Sequence, residues 1–209
     1  MPNVLSLAEE RAMREPGKRM RSRLLDAAVE LFKVRGLAGV SVAEIAAAAG
    51  AFPSQVTYYF RTKEALFVEA ACREVLYVAR QAESAAASAV TGSDYNRSLV
   101  ETVIGSPGLA LFVDALSLTR RRQDLAPLIE RTFDRLHGQG DRAYADARQR
   151  RGWSGGDDPA TTARRFWTLA LGVALRDGAT DVTGSAAVDE MLALLRQERA
   201  VVRTSGGHA

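Results

Sequence analysis

Side chains able to make or break bonds are sparse in this chain. It has two histidines, His137 and His208, and one cysteine, Cys72; none stands at a spacing that pairs metal ligands or sets a nucleophile beside a base. No glycine-rich phosphate loop occurs. Catalysis, a metal and a cofactor are therefore not expected. Groups suited to reversible recognition gather instead between Ser41 and Lys63: hydroxyls at Ser41, Ser54 and Thr57, phenols at Tyr58 and Tyr59, the carboxamide of Gln55 and the ammonium of Lys63. Such donors and acceptors can hold a polar polymer without altering it.

The elements that must position these groups are helical. Leu24, Ala27, Ala28, Leu31 and Phe32 recur at three- and four-residue steps, and Gly36 supplies a left-handed cap, so the first helix is expected from about Arg21 to Arg35. Ser41 and Glu44 stand in the S-x-x-E relation of a capping box, flanked by Val40 and Ile45 as an apolar staple. That second helix ends at Gly50. Pro53 fits the first position of a third helix running to Phe60, because its missing amide hydrogen costs nothing there. Val56 and Phe60, four apart, point toward a core and leave Ser54, Gln55, Thr57 and Tyr58 nearer the outside.

Thr62 can cap a long helix that continues toward Ala89, closed by Thr91-Gly92-Ser93. Helical patterns then return at about Asp94 to Ile104, Leu109 to Arg122, Asp124 to Arg150, Pro159 to Asp177 and Ser185 to Arg203. Gly105-Ser106-Pro107-Gly108 and the loop Gly152 to Asp158 are breaks. No alternating strand pattern appears. The expected fold is all-α, with about nine helices.

Charge is unevenly placed. From Arg11 to Lys63, ten Lys and Arg face four Asp and Glu, a net of +6, whereas the whole chain carries only +3. A basic end on a near-neutral remainder fits contact with a polyanion. The composition, 47% apolar with a single cysteine, excludes disulfide stapling and permits a sizeable core. No run approaches the length of a membrane span, and the first residues lack the apolar block of a signal peptide, so a cytoplasmic location is expected.

The run Ser41-Val42-Ala43-Glu44-Ile45-Ala46-Ala47-Ala48-Ala49-Gly50, followed by Tyr58-Tyr59-Phe60-Arg61-Thr62-Lys63-Glu64-Ala65-Leu66, resembles the DNA-binding domain of the TetR family of transcriptional regulators. Cap, turn glycine, aromatic triplet and capped lysine stand at the family's spacing, over about Arg21 to Glu74. The resemblance implies a three-helix, helix-turn-helix DNA-binding domain at 21–66 and a larger helical ligand-binding and dimerisation domain at 67–203, with a mobile basic arm at 1–20 and a disordered tail at 204–209. Where the family often has Val-Ser before its recognition helix, this chain has Ala51-Phe52; the side-chain cap is lost, and Phe52 must pack or face DNA, of which packing is the expectation. Ala43 is too short to reach a base edge.

In that setting the recognition residues acquire roles. Gln55 suits a bidentate contact with adenine, while Pro53 and the Thr57 methyl can touch thymine methyls. Ser54 lies on the same outward face. Tyr58 and Tyr59 can reach phosphates, as can Ser41 and Lys63 at helix starts; Ser41 can equally be a cap alone, and Tyr59 can support the core. Arg19, Arg21 and Arg23 are candidate phosphate or minor-groove contacts, or equally part of a merely solvated arm. The resemblance further implies a homodimer built on the last two helices, with stripes Phe166, Leu169, Ala170, Val173, Ala174 and Val188, Leu192, Leu195, Val202 as candidate faces, either of which can instead bury within one subunit. Two subunits would read a palindromic operator. A pocket for a small, mostly apolar effector is sought at Phe112, Leu116, Phe133, His137 and Trp167. The expected function is that of a repressor released by this effector; the alternative is a DNA-binding scaffold indifferent to sequence.

Overall fold

The computed structural model describes residues 7–153, 157–178 and 185–204. Among these there are nine α-helices, two short 3-10 turns (Ala86–Ser88 and Gln123–Leu125) and no strand. The chain divides into two compact units, Met1–Ala71 and Cys72–Ala209. No single helix among the described residues is long and apolar enough to cross a membrane.

The N-terminal unit is built from α1 (Leu7–Arg35), α2 (Val42–Ala48), α3 (Pro53–Phe60) and the start of α4 (Lys63–Ala85). Leu24, Ala28 and Phe32 of α1, Ile45 of α2, Val56 and Phe60 of α3, and Leu66 and Phe67 of α4 are all buried, and the rings of Phe32 and Phe67 meet edge to face with centroids 5.0 Å apart. Each of these side chains except that of Ala28 contributes about 1.5–3 kcal/mol by leaving water. That sum anchors α3 from its inner face only.

Helix ends follow the local chemistry. Gly36 (φ +62°) donates to the Phe32 carbonyl at 2.9 Å and closes α1 in a left-handed cap. Gly50 (φ +61°) and Ala51 donate to the carbonyls of Ala47 and Ala46 at 3.0 and 2.8 Å, the two bonds of a Schellman motif that ends α2. One expectation is corrected here: α1 begins at Leu7, not near Arg21, so residues 7–20 are helix rather than arm. Helix formers from Ala8 to Glu15 outweigh Pro16 and Gly17. Residues 1–6 of the supposed arm, and 205–209 of the supposed tail with His208, lie outside the described residues.

The C-terminal unit holds the rest of α4, then α5 (Gly92–Ile104), α6 (Pro107–Thr119), α7 (Ala126–Arg151), α8 (Pro159–Asp177) and α9 (Ser185–Thr204). α8 packs mainly on α7, and α9 on α5 and α8. Thr91 and Asp94 form a capping box that starts α5, so Gly92 opens a helix instead of closing one. Ser106 accepts from the Gly108 amide at 3.1 Å and caps α6 with Pro107 at its first position, which shrinks the expected four-residue break to its first two members. Asp158 accepts from the amides of Ala160 and Thr161 ahead of Pro159 and starts α8.

Candidate nucleic-acid interface

Ser41 and Glu44 complete the capping box in full. The Ser41 hydroxyl oxygen accepts from the Glu44 amide at 3.2 Å, and Glu44 Oε2 accepts from the Ser41 amide at 2.8 Å and hydroxyl at 2.7 Å. Arg35 adds an ion pair to Glu44 Oε1 at 2.8 Å. Hydrogen bonds from Ser41, then from Arg35, hold the Glu44 carboxyl down at about 2. Ser41 is therefore a cap, and its exposure still leaves it accessible.

On α3, Pro53, Ser54, Thr57 and Tyr58 face solvent, Tyr58 with 80% of its surface exposed. Gln55 is half-buried because its Oε1 accepts from the Phe52 amide at 3.0 Å, while the Gln55 amide donates to the Phe52 carbonyl at 2.9 Å. Gln55 thus supplies the cap that Phe52 cannot. Phe52 itself does not pack: it is 77% exposed, because the position ahead of α3 projects its side chain away from the core. Tyr59 is half-buried, edge to face with Tyr58 at 5.0 Å, and its hydroxyl lies 3.4 Å from where a β-carbon on Gly17 would stand.

Lys63 is tied down. Its Nζ donates to the carbonyls of Leu37 and Val40, both at 2.9 Å, and so clamps the α1–α2 loop to the start of α4. Arg21 and Arg23, expected as DNA contacts on an arm, also serve the domain. Arg21 pairs with Glu69 and lies over the Phe60 ring at 4.9 Å, and Arg23 donates to the Ala49 carbonyl. Arg19 is exposed. Between α3 and α4, Arg61 adopts φ +66° and ψ −52°, and the Thr62 amide donates to the Phe60 carbonyl at 2.8 Å. This is a one-residue γ-turn, a strained conformation for a side chain bearing a β-carbon.

A crystal structure of a protein from Rhodococcus sp. RHA1, described as a transcriptional regulator, is 38% identical to this chain with a TM-score of 0.73, covering 84% of this chain and 93% of its own. Residues 24–70 match the family described as bacterial regulatory proteins, tetR family, and residues 92–196 match the bacterial transcriptional repressor C-terminal family. The chain belongs to the TetR family. It is a TetR-family transcriptional regulator, a DNA-binding class rather than an enzyme class. A TetR-family regulator from Rhodococcus sp. (21% identity, TM-score 0.66, 86% of this chain and 97% of that one) and the fatty acid degradation regulator FadR from Bacillus halodurans (20%, 0.61, 84% and 93%) share the fold. No curated protein matches the chain.

Of the five residues sought as a TetR-type effector pocket, Phe112, Phe133 and His137 lie ring to ring, whereas Trp167 and Leu116 share no cavity with them. Phe112 is wholly buried, its ring 5.7 Å from that of Phe133, which is in turn 5.7 Å from the His137 ring. Phe133 and His137 line an open groove of about 560 Å³ with Glu130, Asp134, Thr168 and Leu171. Burial, then the charge of Arg164, lowers the His137 pKa. Trp167 lines a separate cavity of about 30 Å³, room for one water, with Glu83, Tyr95, Leu136 and Phe166. Leu116, half-buried, lines neither.

Sequence reading missed Glu83 and Tyr95. They come from different helices with no shared motif, and burial raises the pKa of both, that of Tyr95 to about 12. The stripe expected as a dimer face on α8 is also partly internal: Phe166, Ala170 and Val173 are buried within this one chain. Among the described side chains of α8 and α9, Leu175 (59% exposed) and Leu194 are the large apolar ones turned outward, while Val202 falls where side chains are not described.

Proposed function

We propose that this TetR-family regulator is a homodimeric repressor that reads a palindromic operator with α3 and releases it when a small, mostly apolar effector binds the C-terminal unit. One observation carries the reading: α3 is fixed from behind by Val56 and Phe60 and offers Pro53, Ser54, Thr57 and Tyr58 to solvent on a rigid rod. A rod of this kind enters the major groove with its first residues against base edges. Gln55, Pro53 and Thr57 read bases; Ser54, Tyr58, Tyr59, Ser41 and Lys63 fix register on phosphates. Both donors that Lys63 spends on carbonyls leave its third for a phosphate oxygen.

Dimerisation is supported by Leu175 and Leu194, together with Gly172, around whose Cβ position nothing lies within 4 Å. The groove beside Phe133 and His137 supports the effector reading, since about 560 Å³ falls within the range of small-molecule sites. A cytoplasmic location accords with this function. Mobility-shift assays against genomic and random fragments test it. Retention of a few fragments by the dimer is the expected result; uniform retention favours a sequence-blind scaffold, and no retention at low salt overturns DNA binding altogether. An effector found by thermal shift at a hundredfold excess over its Kd adds about 2.7 kcal/mol of stability and dissociates the retained fragment.

A further inference from the structure

Among the described residues of the N-terminal unit, Val34, Phe52 and Tyr58 are the large apolar or aromatic side chains left mainly in solvent. Phe52 differs from the other two because it leads α3 and its backbone is immobilised on every side. Its amide donates to Gln55 Oε1 (3.0 Å), its carbonyl accepts from the Gln55 amide (2.9 Å), and Pro53 behind it restricts it to the extended conformation it adopts (φ −94°, ψ 149°). A hydroxyl or carboxylate at this position would cap the helix. The chain instead holds an apolar ring outward at a fixed point, beside the exposed Pro53.

The company of that ring narrows what it can meet. Residues 50–60 carry no charged side chain, so the leading edge of α3 has neither the guanidinium nor the ammonium that reads guanine in the major groove. The protruding apolar group on the major-groove edge of a base pair is the thymine C5-methyl. We infer that Phe52 is a specificity-determining residue that packs its ring on a thymine methyl in each half-site. This rests on the operator-reading function proposed above and adds to it a defined base contact.

The experiment uses full-length protein and the tightest duplexes retained from a random pool, measured by fluorescence anisotropy with each thymine replaced singly by deoxyuridine. At one position per half-site, loss of the methyl is expected to weaken binding about fourfold, the worth of burying one methyl-sized group. Phe52→Ala, with helicity checked by circular dichroism, binds the thymine duplex more weakly and shows no further loss on deoxyuridine substitution. Phe52→Leu, which keeps an apolar contact should the alanine variant misfold, retains part of the penalty. Equal binding of every deoxyuridine duplex by the unaltered protein overturns the contact while leaving operator reading intact. An undiminished penalty in Phe52→Ala assigns the methyl to another residue. Failure to retain any duplex from the pool removes the operator-reading function and this contact together.

Discussion

Arg23 fills the space that a β-carbon on Gly50 would need. Its Nη2 lies 2.7 Å from that position while donating to the adjacent Ala49 carbonyl, and Gly50 itself sits at φ +61°. The glycine in the turn between α2 and α3 is thus required by its own backbone, and a side chain there would also displace the guanidinium that seals the end of α2.

Gly50→Ala is expected to destabilise the N-terminal unit by about 1–2 kcal/mol, from the left-handed conformation alone, with more if Arg23 is displaced. Thermal unfolding followed by circular dichroism reads this directly. An unchanged Tm means the turn relaxes without cost.

Lys63→Ala is expected to act on two levels. Loss of the clamp on Leu37 and Val40 costs about 1.5–3 kcal/mol, as for hydrogen bonds from a charged group, and duplex binding weakens for all sequences alike. Salt dependence separates these effects: a slope of log affinity against log salt reduced by about one indicates a lost phosphate contact, whereas an unchanged slope with lowered Tm leaves Lys63 a clamp only.

Stability is expected to fall on acidification through Glu44. Its folded pKa, held at about 2 by Ser41 and Arg35, is below its ordinary value of 4.5. The folded state therefore binds the proton less readily than the unfolded state. The contribution is fully present above pH 4.5 and is lost as pH drops from there toward 2. Glu44→Gln flattens the pH dependence of Tm in this window, and identical profiles for the two proteins show that the capping carboxylate is not felt.

Arg61→Gly is expected to stabilise the fold by about 1 kcal/mol, since glycine takes φ +66° without steric cost. For a chain of this size that is a rise in Tm of about 2–4 °C. A fall in Tm locates a compensating contact in the Arg61 side chain.

The helix-turn-helix part of the fold is legible in the sequence because its signals are local. Ser41 and Glu44, Gly50, and Pro53 each act within one helical turn, and each lies where its spacing places it. Signals that compete were misread. Pro16 and Gly17 masked a helix carried by the formers before them, and Gly92 hid the Thr91–Asp94 capping box. Phe52 was misplaced for a different reason: residue type argues for burial, but position ahead of a helix argues against it. The pocket residues were the least accessible. Phe112, Phe133 and Trp167 look alike in sequence, and which faces a void depends on how α4, α5, α7 and α8 close around it.

The γ-turn at Arg61 has a mechanical corollary. Only Arg61 and Thr62 separate the last residue of α3 from the first of α4, and both are spanned by the 2.8 Å bond from Thr62 to Phe60. A longer connection would absorb a displacement as slack. This one has no length to give, so tilting the beginning of the 23-residue α4 must swing α3 as if the two were arms of a bracket.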